Sequence, residues 1–226
     1  MIVSPADLSS NELYAILLNS VAPRPIAWVS TISTAGQHNL APFSFFNAVC
    51  VDPPMLAFAT GLRRAQPPEA VHGVAKDTLR NIRETKEFVV NVVTYELREA
   101  MNLTSGEYDA AVNEFELAKL TPKPSKLVRP PRVGESPVSF ECRLHQILDF
   151  SPVPTSSSLV IGEIVCIHMN DAHLKDGRLD RDSLDLIGRM GGLQYTRNGR
   201  KIRDGAAEGW VGCARSPWVS AEAYGM

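Results

Sequence analysis

The chain has 226 residues, 44% of them hydrophobic and 21% charged, with a formal net charge of -2. That length buries a core without covalent staples, as one large domain or two small ones, and the composition excludes a disordered or fibrous chain. The near-balance of charge excludes a general electrostatic pull toward nucleic acid or acidic membranes, while leaving room for a local basic pocket.

At the start, "MIVSPADLSS" carries Asp7 and lacks the basic flank and apolar run of a secretory signal. No segment approaches the roughly 20 apolar residues that span a bilayer. Cys50, Cys142, Cys166 and Cys213 form no C-x-x-C pair and have no histidine spaced to join them. They read as free thiols with no metal site. A soluble protein in a reducing compartment is expected, the cytoplasm being the simplest.

From Ile26 to Ser33, "IAWVSTIS" is rich in β-branched residues and enters a hairpin at "TAGQHN", where Gly36 and Asn39 suit a turn. The return arm is read as one strand along "NLAPFSFFNAVCVDPPM", stopped by Pro53 and Pro54, which cannot donate to a ladder. "MLAFAT" is a third strand. "GLRRAQPPEAVHGVAK" reads as a long loop carrying Arg63, Arg64 and Lys76, and long loops in compact domains are often functional.

Asp77 can cap a helix over "TLRNIRETK", where Leu79 and Ile82 share a face. "FVVNVV" is a buried strand. Leu97, Ala100, Met101 and Thr104, at i, i+3, i+4 and i+7, predict a second helix. A short "EFELAKL" helix gives way to a proline-rich connector, "TPKPSKLVRPPRVGESP". In "PVSFECRLHQILDF", Val138, Phe140, Cys142, Leu144, Leu148 and Phe150 share one parity, which predicts a long half-buried strand. After "SPVPTSSS", a second long strand places Leu159, Ile161, Val165, Ile167 and Met169 on one face. "KDGR" and "RNGR" are tight-turn signals, the latter suiting a small C-terminal hairpin. Six or seven strands with two or three helices predict a mainly β fold, a barrel with peripheral helices over its openings.

Three stretches can carry chemistry. In "AKDTLRN" a helix start exposes backbone N–H groups and partial positive charge, and Lys76 and Thr78 lie within a turn of it. A terminal phosphate fits there; an ordinary cap at Asp77 with solvated neighbours has the same spacing. In "NLAPFSFFNAV", Ser44 and Asn47 can meet the polar edge of a flat ring while Phe43, Phe45 and Phe46 form a floor, although aromatic residues in a strand also read as core. In "IGRMGGLQYTRNGR", Gly191 and Gly192 read as turn formers and Tyr195 can lie against a ring. No dinucleotide fingerprint or P-loop occurs. Of His38, His72, His145, His168 and His173, none has H-E-x-x-H spacing or stands beside a G-x-S-x-G elbow, so each reads as structural or solvated.

In order and spacing, "PRPIAWVST", "NLAPFSFFNAV" closed by "DPP", "KDTLRNI" followed by "EFVVNVV", and "GRMGGLQY" resemble the flavin reductase-like, FMN-binding split-barrel family, also called flavoredoxin-like, over about residues 15 to 200. The resemblance implies one domain over 1–226 with residues 201–226 a C-terminal extension, a six-stranded antiparallel split β-barrel, and a homodimer holding FMN near its interface. It also implies that Lys76 and Thr78 contact the FMN phosphate, that Ser30 and Thr31 add hydroxyls, and that Asn39 opens the second strand. Ser44, Phe45, Phe46 and Asn47 would run along the isoalloxazine, with Arg189 and Tyr195 carried over from the late motif. The chemistry implied is hydride transfer from NADH or NADPH to flavin and on to a small-molecule or redox-protein acceptor, with no catalytic side chain because the flavin carries the reaction. The alternatives are an FMN-binding electron carrier without direct NAD(P)H reaction, and an FMN-free barrel serving a structural or haem-handling role.

Overall fold

A computed structural model describes residues 1–62, 75–153 and 156–197. "RNGR", Cys213, Arg63, Arg64 and the extension 201–226 lie wholly or partly outside these residues. Helices α1 (Ser10–Ser20), α2 (Asp77–Thr85), α3 (Arg98–Leu103) and α4 (Glu114–Leu117) accompany one large sheet. Its strands are β1 (Ala27–Ile32), β2 (His38–Phe43), β3 (Phe46–Val51), β4 (Pro54–Gly61) and β5 (Glu87–Asn91). In the connector, β6 (Pro122–Lys123) pairs with β7 (Arg132–Val133), and the long β8 (Val138–Asp149) and β9 (Ser157–Met169) complete the large sheet. Small hairpins follow: β10 (Leu174–Lys175) with β11 (Arg178–Leu179), and β12 (Ile187–Arg189) with β13 (Tyr195–Arg197). "KDGR" is the first of these turns, with Asp176 and Gly177 both at positive φ, the backbone an Asp-Gly hairpin turn requires.

The large sheet is antiparallel and has seven strands in the order β2-β1-β5-β8-β9-β4-β3. The family resemblance implies six, and the residues alone six or seven. The difference lies in the return arm, which is two strands at opposite edges of the sheet, joined only by Ser44 and Phe45. In a flat sheet, gaps of about 4.8 Å would set those edges about 29 Å apart. From Phe43 to Phe46 the chain reaches no more than about 11 Å. The sheet therefore curls until its edges approach and β2 comes into contact with β4. No ladder joins β2 to β3 among the described residues. The result is an open, split barrel.

Ala27, Val29, Phe43, Phe58, Phe88 and Val160 fill the inside, with Leu79 and Ile82 of α2 plugging one end. Trp28, Leu40, Met101, Phe115 and Ile187 form a second cluster on the outer face, beneath α3 and α4. Both faces of β1 are thus covered, which explains its nearly unbroken apolar run. The connector crosses the outer face as well: the Ser30 hydroxyl donates to the Pro131 carbonyl at 2.6 Å, and Asn91 Oδ1 accepts from the Val133 N–H at 2.9 Å.

The parity expected for the long strands fails partway. The β8–β9 register shifts at Glu141/Cys142 and again at Leu144/Gln146. Each extra residue inverts the faces beyond it. Phe140, Cys142 and Leu144 point to the core, but past the second shift Ile147 replaces Leu148, and Phe150 is left 64% exposed. On β9 the inward set is Ser158, Val160, Gly162 and Ile164. Leu159 and Ile161, expected to be buried, face outward, while Ile167, returned by the shift at Glu141/Cys142 to the face of Phe140, is nonetheless exposed. Gly162 lies on this inward row, where a Cβ would overlap the Phe88 ring.

Helix α1 was not anticipated, although Ser9 and Glu12 form a capping box, S-x-x-E, at its start. It buries no residue. No helix among the described residues is long and apolar enough to cross a membrane.

Candidate functional site

The α2 start is the best-built polar site. Lys76, not Asp77, is the N-cap: its backbone is extended and its carbonyl accepts the Arg80 N–H at 3.0 Å. Asp77 is the first helical residue and pairs with Arg80 at 2.5 Å. The helix start exposes amide N–H groups that a helix cannot satisfy itself. Packing of α2 against β1 and β2 holds that end over the second strand, and a shallow cleft opens there between Lys76, Thr78, Asn39 and Pro42 on one side and Ser105 and Tyr108 on the other.

Behind the cleft runs a buried network. Asn39 Nδ2 donates to Thr78 Oγ1 at 2.9 Å and to Thr31 Oγ1 at 3.2 Å, and Asn81 Nδ2 donates to Thr31 Oγ1 at 3.1 Å. With the Asn39 amide donating to it, the Thr78 hydroxyl keeps its own proton for an acceptor. Asn81 Oδ1 is buried with no partner. Turning that amide over would leave an unpaired N–H instead, so the network is one group short in either orientation. A helix start, a lysine and a hydroxyl donor together suit a phosphate, and the residues present fit the phosphate end of a flavin mononucleotide.

The structure thus brings Thr31, Asn39, Lys76 and Thr78 together. Asn81, which sequence reasoning missed, completes the set; its signal was its place one turn after Thr78 on the same helix face. Ser30 lies on the opposite face of β1, where Asn91 and Pro131 engage its hydroxyl, since adjacent residues of a strand face opposite ways.

Pro42 and Phe43 line the cleft, and the chain continues directly into Ser44 and Phe45. Phe46 packs on the inner cluster. Phe45 is 40% exposed, with Tyr14 of α1 at 6.5 Å and the Arg24 guanidinium at 5.8 Å from its ring. Ser44 is half-buried, and Asn47 is exposed, its Oδ1 accepting the Ala48 N–H at 2.9 Å. Only Phe45 and Asn47 of this group present a largely open surface.

Arg189 and Tyr195 lie apart from the α2 cleft. The Arg189 guanidinium sits 4.6 Å over the Tyr195 ring and donates to the Gly192 carbonyl at 2.6 Å. Tyr195 lines a cavity of about 530 Å³ with Tyr95, Arg98, Asn102 and Arg197. Helix α3 separates the two hollows: Asn102 and Leu103 face this one, while Thr104 and Ser105 face the α2 cleft. Gly191 and Gly192 are turn formers, as read from the sequence. Gly192 has φ +57, and a Cβ on Gly191 would overlap the Asn19 amide.

Arg24, in "PRPI", is almost fully buried. Its Nη1 donates to the Leu18 and Val21 carbonyls and its Nη2 to the Met190 carbonyl. It fastens the end of α1 to the glycine turn. Burial pulls its pKa down, the nearby Tyr14 opposes this, and Arg189 adds to the fall.

A family model described as flavin reductase like domain matches residues 19–190. An uncharacterised protein of Aquifex aeolicus is 41% identical over 192 residues, covering 84% of this chain and 92% of that one. The structure of nitrilotriacetate monooxygenase component B from Bacillus cereus superposes with a TM-score of 0.82 at 31% identity, covering 90% of this chain and 98% of that one. That of 2-nitrobenzoate 2-nitroreductase from Pseudomonas fluorescens superposes with a TM-score of 0.80 at 30% identity, covering 94% and 99%.

Proposed function

Given that this chain belongs to the flavin reductase-like family, a family of flavin-binding oxidoreductases, we propose that it holds FMN and reduces it with NADH or NADPH. The observation that carries the choice of FMN is the α2 start, where Lys76, the Thr78 hydroxyl oriented by Asn39, and the positive end of the helix converge. A terminal phosphate monoester, with close to two negative charges, matches that concentration of donors. The flavin's remaining length then follows Pro42 and Phe43 toward the Ser44–Asn47 turn.

When bound, the flavin supplies the hydride and electron chemistry. The chain's own work is to anchor the phosphate, present backbone amides and the Asn47 side chain to a ring edge, and support the ring with Phe45. No side chain is needed as an acid or base. Component B of a monooxygenase and a nitroreductase are the similar proteins' names, so a partner oxygenase and a nitroarene are the acceptors to assay first.

A homodimer belongs to the same reading. Tyr14, Ile16 and Leu17 of α1 and Val49 and Val51 of β3 are exposed, and Tyr14 reaches Phe45. An apolar surface of this kind marks an interaction site, and it adjoins the expected ring position. A cytoplasmic location is supported by free Cys50, Cys142 and Cys166.

The test is anaerobic mixing of holoprotein with NADH and with NADPH. Bleaching of the yellow flavin band by either is expected. A band that persists with both overturns the reductase reading, and bleaching by a reduced redox protein alone would make the chain an electron carrier. The double variant Lys76→Ala, Thr78→Ala removes two charge-assisted contacts of about 1.5–3 kcal/mol each, so FMN affinity should fall by about a hundredfold or more; unchanged affinity removes the phosphate assignment.

A further inference from the structure

The period of two along a strand places Cys166 and His168 side by side on one face of β9, and the β8–β9 register sets Glu141 directly across from Cys166. Their donor atoms converge. Cys166 Sγ lies 3.6 Å from His168 Nε2, which lies 2.5 Å from Glu141 Oε1, and the three atoms fall within 4.8 Å of one another. Glu141 has no exposed surface. The N–H groups of Lys126, Leu127 and Val128 hold its carboxylate at 2.6, 2.6 and 3.2 Å. His168 is 24% exposed and Cys166 half-buried, so solvent reaches the point of convergence.

We propose that Glu141, Cys166 and His168 form a binding site for a divalent transition-metal ion of the Zn2+ class, with water completing the coordination. Thiolate, imidazole and carboxylate are the donors zinc takes, whereas the sulfur and nitrogen argue against Mg2+ or Ca2+. Tetrahedral coordination at ordinary zinc bond lengths needs about 3.6 Å between sulfur and nitrogen and about 3.3 Å between nitrogen and oxygen. The first separation is already present. The second requires the His168 ring to swing less than about 1 Å.

Protonation supports this geometry. Burial, the strongest influence on Glu141, pushes its carboxyl up, but the Lys126 and Leu127 N–H groups and the His168 ring outweigh it and hold the group below the ordinary range. On binding, Cys166 releases its thiol proton to solvent, and His168 takes the tautomer with its proton on Nδ1, freeing the Nε2 lone pair. The ion then clips β8 to β9 and, through Glu141, to the connector. This site faces away from the inner cluster that contains Cys142 and does not rest on the flavin reading.

The experiment is titration of chelator-treated, flavin-loaded protein with Co2+. Expected are one ion per chain, a thiolate-to-cobalt charge-transfer band, and ligand-field bands at wavelengths beyond the flavin's absorption, all abolished by excess Zn2+. Cys166→Ser should remove the charge-transfer band and His168→Gln should weaken binding at least tenfold. Cys50→Ser and Cys213→Ser should leave both unchanged. Zn2+ should raise the Tm of the natural chain and not that of Cys166→Ser. Absence of cobalt bands in the natural chain at excess Co2+, or a charge-transfer band that survives Cys166→Ser, overturns the site. Flavin content is read separately, so loss of the metal reading leaves the FMN reading standing.

Discussion

Gly162 and Asn39 are small residues whose roles come from what surrounds them. At Gly162 the Phe88 ring occupies the place of a side chain, so Gly162→Ala must displace a fully buried aromatic or bend β9. Overpacking of this kind costs about 1–3 kcal/mol, and urea denaturation should show that loss with an unchanged m value. Asn39 has a subtler task, because its amide donates to two buried hydroxyls at once. Asn39→Asp reverses that polarity: the carboxylate accepts the Thr78 proton that a phosphate would otherwise receive, and adds a negative charge beside the cradle. FMN affinity, followed by flavin fluorescence, should drop about tenfold or more and by more than in Asn39→Ala. Equal loss in both variants would mean the orientation of the Thr78 hydroxyl does not matter. Lys76 and Thr78 were legible because a helix start is written in adjacent residues. The position of Asn81 one turn after Thr78 was legible as well, but not its role, since its partner Thr31 lies fifty positions away.

Among elements, α2, α3 and the β1 run were readable from local spacing, and the paired long strands were recognised as strands with their buried faces partly misassigned. In β8 the reason is the bulge at Leu144/Gln146, which hands the core position from Leu148 to Ile147. Ile147→Ala should therefore cost about 2 kcal/mol, while Leu148→Ala, at an exposed position, should cost less than about 1 kcal/mol. The reverse ranking in equilibrium denaturation would restore the uninterrupted parity. The other shift, at Glu141/Cys142, turns Cys166 and His168 to the face of Glu141. Cys166 and His168 are two apart in the chain, but the third donor lies across the ladder, where no run of adjacent residues reveals it.

For the whole molecule, the decisive feature is that consecutive strands β2 and β3 occupy opposite sheet edges, so the sheet must curl. Curling leaves β3 as an outer edge with Val51 84% exposed, and Tyr14 of α1 reaches Phe45 just before that strand begins. If that surface is the dimer contact, Val51→Asp with Leu17→Asp should shift sedimentation from dimer to monomer and release FMN along with it. A monomer that retains FMN at natural affinity would separate the flavin site from the interface. What the sequence alone determined is the set of pieces: helix starts, strand segments, turn residues, and an ordered series of motifs resembling one flavin-binding family. These depend on capping and periodicity, which act over a few neighbouring residues. Only the tertiary structure decided which face of β8 and β9 is buried, where the return arm divides, and which distant polar groups meet. Those outcomes depend on register between segments far apart in the chain, where a single inserted residue turns every following side chain to the other side of the sheet.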